Sequence, residues 1–286
     1  MKLKKFLIWI VAIVITVGAA LYQRTTGPTY ERDEVISLMD SEWEIELVRS
    51  SGSRDARVKL PMKDENISAI LHYKKFAVDE PWTAVNFAIK EIKYHSWFMT
   101  KVLGKEDEEA LVAYLPAQPP AGKLEYFIEI NSGDEQVFVA KDDHVVIRFK
   151  GDVPAGILIP HIILMFLTML FATVAGIYAI TRIDRFKRMT NWTFWILLFG
   201  GFLFGPWVQW HAFGDWWTGV PFGWDLTDNK TLFAFVFWVA AFFGNRKKSR
   251  PGLVILAAVM TLVIFSIPHS MFGSELDYST GQVTTG

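Results

Sequence analysis

The chain contains no cysteine. That absence excludes disulfide frameworks, thiolate metal sites and cysteine nucleophiles together. Any exported part must therefore be held by its own apolar core. GxxxxGK[ST], GxGxxG and GxSxG are also missing, which removes the footholds for nucleotide binding and serine hydrolysis. The long apolar runs lack interior Asp, Glu, Lys or Arg, the groups that pumps and proton-coupled carriers place at mid-depth. So few helices without an internal repeat also argue against an autonomous carrier.

What is present is segregated. Hydrophobic residues form 51% of the chain and charged residues 21%, too apolar for a soluble protein and too charged for membrane helices alone. Charges gather in one block and apolar residues in runs on either side of it. The net charge of −1 averages over these unlike parts and excludes little by itself.

Residues 1–24 begin with Lys2, Lys4 and Lys5 and continue as an apolar run from Phe6 to Leu21. A helix of that run would be about 24 Å long at 1.5 Å per residue, slightly short of a bilayer core. No A-x-A cleavage site follows, so a signal-anchor helix is the preferred expectation and a cleaved signal peptide the alternative. Residues 25–152 show short alternating runs at Trp43–Arg49, Ile67–Phe76, Trp82–Ile89, Ala110–Leu115, Lys123–Ile130, Gln136–Ala140 and His144–Lys150. Turn-rich pieces such as Pro119-Pro120-Ala121-Gly122 and Asn131-Ser132-Gly133-Asp134 separate them. The spacing predicts an all-β, Ig-like sandwich. An excess of acidic residues in this block argues against a nucleic-acid partner or an anionic-lipid face.

Residues 153–286 contain four more apolar runs: Ile157–Ile180, Trp192–Trp210, Leu226 or Thr231 to Phe243, and Leu253–Ile267. The expected fold is a membrane α-helical protein of about five transmembrane helices with an Ig-like ectodomain. Arg182, Arg185, Lys187 and Arg188 follow the first of these runs, and Arg246, Lys247, Lys248 and Arg250 the third. With Lys2, Lys4 and Lys5 they mark the cytoplasmic face under the positive-inside rule. The β domain and the C-terminal tail then lie outside.

The stretch 206–230, PWVQWHAFGDWWTGVPFGWDLTDNK, is too polar for lipid and too aromatic for a solvated loop. A structured hairpin at the membrane–water boundary accommodates both properties. Its tryptophans could form an interfacial belt, or Trp217 and Trp224 with Asp215, Asp225 and Asp228 could line a ligand or partner site. Aromatic faces and carboxylates together suit a cation or an amine. Asp228 or Thr227 is the expected cap of the helix continuing from Lys230.

His161, His211 and His269 fall at outer helix ends in this topology, His161 in the first turn of its helix and the other two just after theirs. Imidazoles with nearby carboxylates suit a divalent metal such as zinc, copper or iron. The alternative is structural, because histidine tolerates interfaces and no HxxxH spacing places two ligands on one helix face. Bis-histidine haem fits less well, since it needs histidines facing one another inside the bundle.

The segments Trp217–Thr231 (WTGVPFGWDLTDNKT) and Ile267–Tyr278 (IPHSMFGSELDY) resemble a family of bacterial polytopic inner-membrane proteins with an exported Ig- or fibronectin-III-like domain. Thr26–Tyr30 and Phe149–Pro154 share in the resemblance, which covers most of the chain. It implies architecture and inner-membrane location, and carries over no catalytic residues. Two functions remain open: binding or assembly with a membrane or periplasmic protein, and a metal-dependent or redox membrane enzyme.

Overall fold

The computed structural model describes residues 2–38, 41–62, 67–94, 97, 100–101, 104, 106–268 and 274–284. It divides into two compact units. One comprises Met1–Pro28, Gly151–Glu275 and Val283–Gly286; the other comprises Thr29–Lys150 and Leu276–Gln282.

The second unit is built of strands β1 (Arg32–Leu38), β2 (Ser41–Leu47), β3 (Ser50–Ser51), β4 (Ala56–Pro61), β5 (Ile67–Lys75) and β6 (Thr83–Asn86). There follow β7 (Ala88–Ile92), β8 (Glu108–Leu115), β9 (Lys123–Ser132), β10 (Glu135–Val139) and β11 (Val145–Phe149). Strand β9 is the spine. It pairs antiparallel with β5 from Ile67↔Ser132 to Lys75↔Leu124, and also with β10 and β11. A three-stranded sheet runs β4-β8-β7, and β1-β2 forms a hairpin. Because strand side chains alternate, one face of each sheet can be apolar. Trp43, Ile45 and Leu47 of β2, Val58 and Leu60 of β4, Ala69 and Leu71 of β5, and Tyr126, Ile128 and Ile130 of β9 share one buried core. Burial pushes the Tyr126 phenol upward, and its hydroxyl donates to the Val48 carbonyl at 3.0 Å.

Two differences from the expected strands have physical causes. The run Trp82–Ile89 is divided between two sheets, β6 pairing with β5 and β7 with β8. Phe87 sits at the switch and donates its amide to the Ala69 carbonyl at 2.9 Å. Strand β1 lay outside the expected runs because Arg32 and Glu34 fill inward positions and mask its apolar stripe; β4 lay outside them although Ala56, Val58 and Leu60 alternate inward.

Leu276–Gln282 of the C-terminal tail belong to this unit. The Leu276 amide donates to the Ala121 carbonyl at 3.1 Å. The Tyr278 hydroxyl accepts from the Lys123 amide at 3.0 Å, with the Lys123 carbonyl at 2.9 Å and Gln118 Oε1 at 3.1 Å as its own acceptors. Tyr278→Phe should destabilise this contact by about 1 kcal/mol, read as faster exchange of the Lys123 amide. Unchanged exchange would mean that the tail is not docked.

On the outer face of β9, Asn131, His72 and Gln136 donate to Glu129 and hold its carboxyl below the ordinary glutamate value. A depressed carboxyl contributes stability above the unfolded value of 4.5 and loses it as the pH falls through the lower folded value. Glu129→Gln should therefore lower stability at neutral pH and flatten the acid limb of the pH–stability curve. A curve parallel to wild type would contradict the assignment.

Among the described residues the first unit holds five helices: α1 (Lys2–Thr25), α2 (Ala155–Ile180), α3 (Phe186–Phe213), α4 (Leu226–Lys247) and α5 (Pro251–Ser266). The first four are long and apolar enough to cross a membrane; α5 is apolar but has 16 residues. Helix α3 contains a π-helical stretch, Leu198–Phe204. There Gly201 permits close approach of α4, since a Cβ at this position would lie 2.6 Å from Thr231 Cγ2. Deeper in the unit, fully buried Trp238 donates its indole N–H to Thr261 Oγ1 at 2.7 Å. At the α4–α5 turn the Asn245 side chain donates to the carbonyls of Ala241 and Arg250 and accepts from the Arg250 amide.

Helix boundaries shift three sequence-based expectations. Helix α4 starts at Leu226, which puts Asp228 and Lys230 in its first turns, both buried, so that run does contain buried ionisable groups. His211 lies in the last turn of α3 rather than beyond it, and His161 in the second turn of α2 rather than the first.

Candidate functional site

The site is the hairpin between α3 and α4. Helix α3 ends at Gly214, whose φ of +91° is the left-handed conformation that glycine adopts without strain. Its amide caps the helix by donating to the Trp210 carbonyl at 2.9 Å. The chain turns again at Gly219, whose carbonyl accepts from the amides of Phe222 and Gly223. Only glycine fits there: a Cβ would lie 2.8 Å from Asp228 Cβ and 2.9 Å from Asn229 Oδ1.

The N-terminus of α4 grips the hairpin through buried polar side chains. Asp225 is the helix cap, its Oδ1 accepting from the Thr227 amide at 2.8 Å and the Asp228 amide at 3.3 Å. The expected cap, Asp228 or Thr227, lies inside the helix instead. Asp228 Oδ2 accepts from the Thr218 amide at 2.6 Å and the Thr218 hydroxyl at 3.1 Å. That hydroxyl in turn accepts from Gln209 Nε2 at 2.8 Å. Asn229 Oδ1 accepts from the Val220 amide at 2.8 Å. An unmade bond in such a buried set would cost more than a made one contributes, so the arrangement fixes one loop shape.

The same helix start binds the end of α5. Lys230 donates to the carbonyls of Ile267 at 2.7 Å and Pro268 at 3.3 Å, while Ser274 Oγ donates to Asp225 Oδ2 at 3.3 Å. From α1, Gln23 Nε2 donates to the carbonyls of Phe265 at 2.6 Å and Ile267 at 3.1 Å. These side chains satisfy carbonyls that a helix C-terminus leaves open. The two motifs DLTDNK and IPHSMFGSELDY thus meet in space through Asp225, Lys230 and Ser274.

The five residues expected to bind a ligand separate into three environments. Asp225 and Asp228 are buried with internal donors. Trp217 is half-buried, stacked on Phe202 at 5.6 Å, with its indole N–H donating to the Val220 carbonyl. Asp215 and Trp224 are exposed. Trp224 is 76% exposed and its neighbour Phe222 80%, and Trp216 stacks on Trp210 at 5.4 Å with both rings partly open. Sequence reasoning missed Phe222, Gln209, Thr218 and Lys230; only the Val-Pro-Phe-Gly turn pattern could have marked Phe222 as a loop tip.

The histidines are less concentrated. His161 Nδ1 donates to the Gly200 carbonyl in the π-helical stretch at 2.9 Å. His211 packs its ring edge-on against Trp210. His269 lies outside the described residues. Among the described residues no group of three or more His, Asp or Glu side chains is placed to hold a metal ion.

Compared with protein-family models, curated proteins and solved structures, the chain matches none.

Proposed function

We propose that the protein is a non-enzymatic binding or assembly unit of a bacterial inner membrane, and that the hairpin tip engages a partner protein at the outer face. In this topology all five helices span the bilayer, the N-terminus is cytoplasmic, and the β unit is an exported Ig-like sandwich. The basic loops support the orientation. The resemblance of the two motif segments to a bacterial inner-membrane family, read from sequence alone, implies the same architecture. One observation carries the functional proposal: buried side chains hold the hairpin in a single shape, and among its described residues the large groups most open to the surroundings are Phe222 and Trp224. Exposed aromatics on a rigid support suit partner binding, because little conformational entropy is lost on contact. The double variant Phe222→Ala/Trp224→Ala should reduce recovery of the membrane partner at least about ten-fold while inserting normally. Undiminished recovery would overturn the proposal.

A second function, a metal-dependent or redox membrane enzyme, has one observation in its favour. With Nδ1–H given to a backbone carbonyl, His161 keeps a lone pair on Nε2, an arrangement that metal-bound imidazoles commonly adopt. About one zinc, copper or iron per purified chain, lost in a folded His161→Ala variant, is the result this function requires. No metal and no visible absorption in the wild-type protein would sink it.

A further inference from the structure

A cleft of about 360 Å³ opens between α1 and α2. Its walls are Leu3, Leu7, Ile8 and Val11 of α1 with Ile177 of α2, and Lys4 is its one charged lining residue. Leu3, Leu7 and Val11 recur every fourth residue and so form one stripe along α1, rising about 12 Å. Ile8 is buried and forms the floor, while the three stripe residues are exposed. The volume falls near the lower limit of small-ligand pockets, about 300 Å³. A section of one alkyl chain suits it, and a polar headgroup does not.

The charge at the mouth of the cleft selects among lipids. Helix α1 contains Lys2, Lys4 and Lys5 and no acidic residue at all. Ile177 lies in the last turn of α2, and the following loop carries Arg182 and Arg185 with a single acid, Asp184. Both helices therefore bring cations to the same end of an apolar stripe. We infer that one anionic phospholipid binds here, an acyl chain along Leu3, Leu7 and Val11 and its phosphate against Lys4. This rests on α1 and α2 spanning a bilayer with their basic ends in one leaflet's headgroup zone. A lysine at such a surface favours an anionic headgroup about five-fold.

The test uses the full chain reconstituted with equal amounts of phosphatidylglycerol and phosphatidylcholine, followed by native mass spectrometry of retained lipid. The wild type should keep phosphatidylglycerol with about five-fold preference. Lys4→Gln should remove most of that preference. Val11→Trp should fill the cleft and lower total retained lipid, whereas Lys247→Gln, at the other basic loop, should leave the preference intact. Equal retention of the two lipids by the wild type would overturn the inference. So would an equal loss in Lys4→Gln and Lys247→Gln, which would assign the preference to bulk surface charge. Extraction of the protein from membranes by alkaline carbonate would instead refute the spanning topology, and so separates the two failures.

Discussion

Replacing Asp228 with alanine should release the hairpin from α4 while the helices stay assembled. Asp228 Oδ2 is the acceptor for both the amide and the hydroxyl of Thr218, and the group is buried. Without it the Thr218 amide has no acceptor where water is scarce, and the Gln209–Thr218 bond loses its orienting partner. Hydrogen bonds to a charged acceptor contribute about 1.5–3 kcal/mol each net, and buried groups left unpaired add to the loss. A total near 3 kcal/mol corresponds to about a hundred-fold change in an opening equilibrium. The Thr218 and Val220 amides should exchange about a hundred-fold faster, and protease should nick the chain between 214 and 225. Asp215→Ala is the control, because Asp215 is exposed and should change neither readout. Equal effects at the two positions would mean that Asp228 does not hold the hairpin.

Loss of the Lys230 amine should be the second large effect, and its signature is non-additivity. The Ile267 carbonyl accepts from both Lys230 Nζ and Gln23 Nε2. Lys230→Met leaves Ile267 with Gln23, and Gln23→Ala leaves it with Lys230. Each single change should cost about 1 kcal/mol. The double variant strips the carbonyl of both donors and should cost about 1 kcal/mol more than the sum. Thermal unfolding of the four proteins in one detergent measures the cycle. A strictly additive result would show that the two side chains do not share an acceptor.

Sequence patterns revealed the architecture where one physical signal dominated. A long apolar run has few alternatives to a helix, so α1, α2 and α3 were legible as apolar helices long enough to cross a membrane. Alternation was legible in β5, β8 and β9, whose positions in the shared core are Ile, Leu, Ala and Tyr. It failed in β1, where Arg32 and Glu34 stand on one face and pair with each other, and at Phe87, where the chain leaves one sheet for another. Such a switch depends on which edge is free, and no local pattern records that.

The hairpin was legible as a structured element, and its glycines and aspartates pointed to sharp turns and a helix start. The roles of those aspartates were not. Whether a carboxylate faces solvent, as Asp215 does, or caps a helix from inside, as Asp225 does, depends on which backbone amides the fold brings to it. Lys230 illustrates the same limit: its acceptors lie 37 and 38 residues further along the chain. A buried lysine could not be distinguished from an interfacial one by composition.

The most direct measurement is photo-crosslinking in intact membranes from a diazirine amino acid placed in turn at positions 222, 224 and 238. Phe222 and Trp224 are exposed at the hairpin tip, and Trp238 is fully buried in the helical unit. A partner-binding tip predicts a discrete protein adduct from 222 and 224 and intramolecular products alone from 238. Adducts only to lipid from 222 and 224 would make the tip a membrane-interface belt and contradict the proposed function.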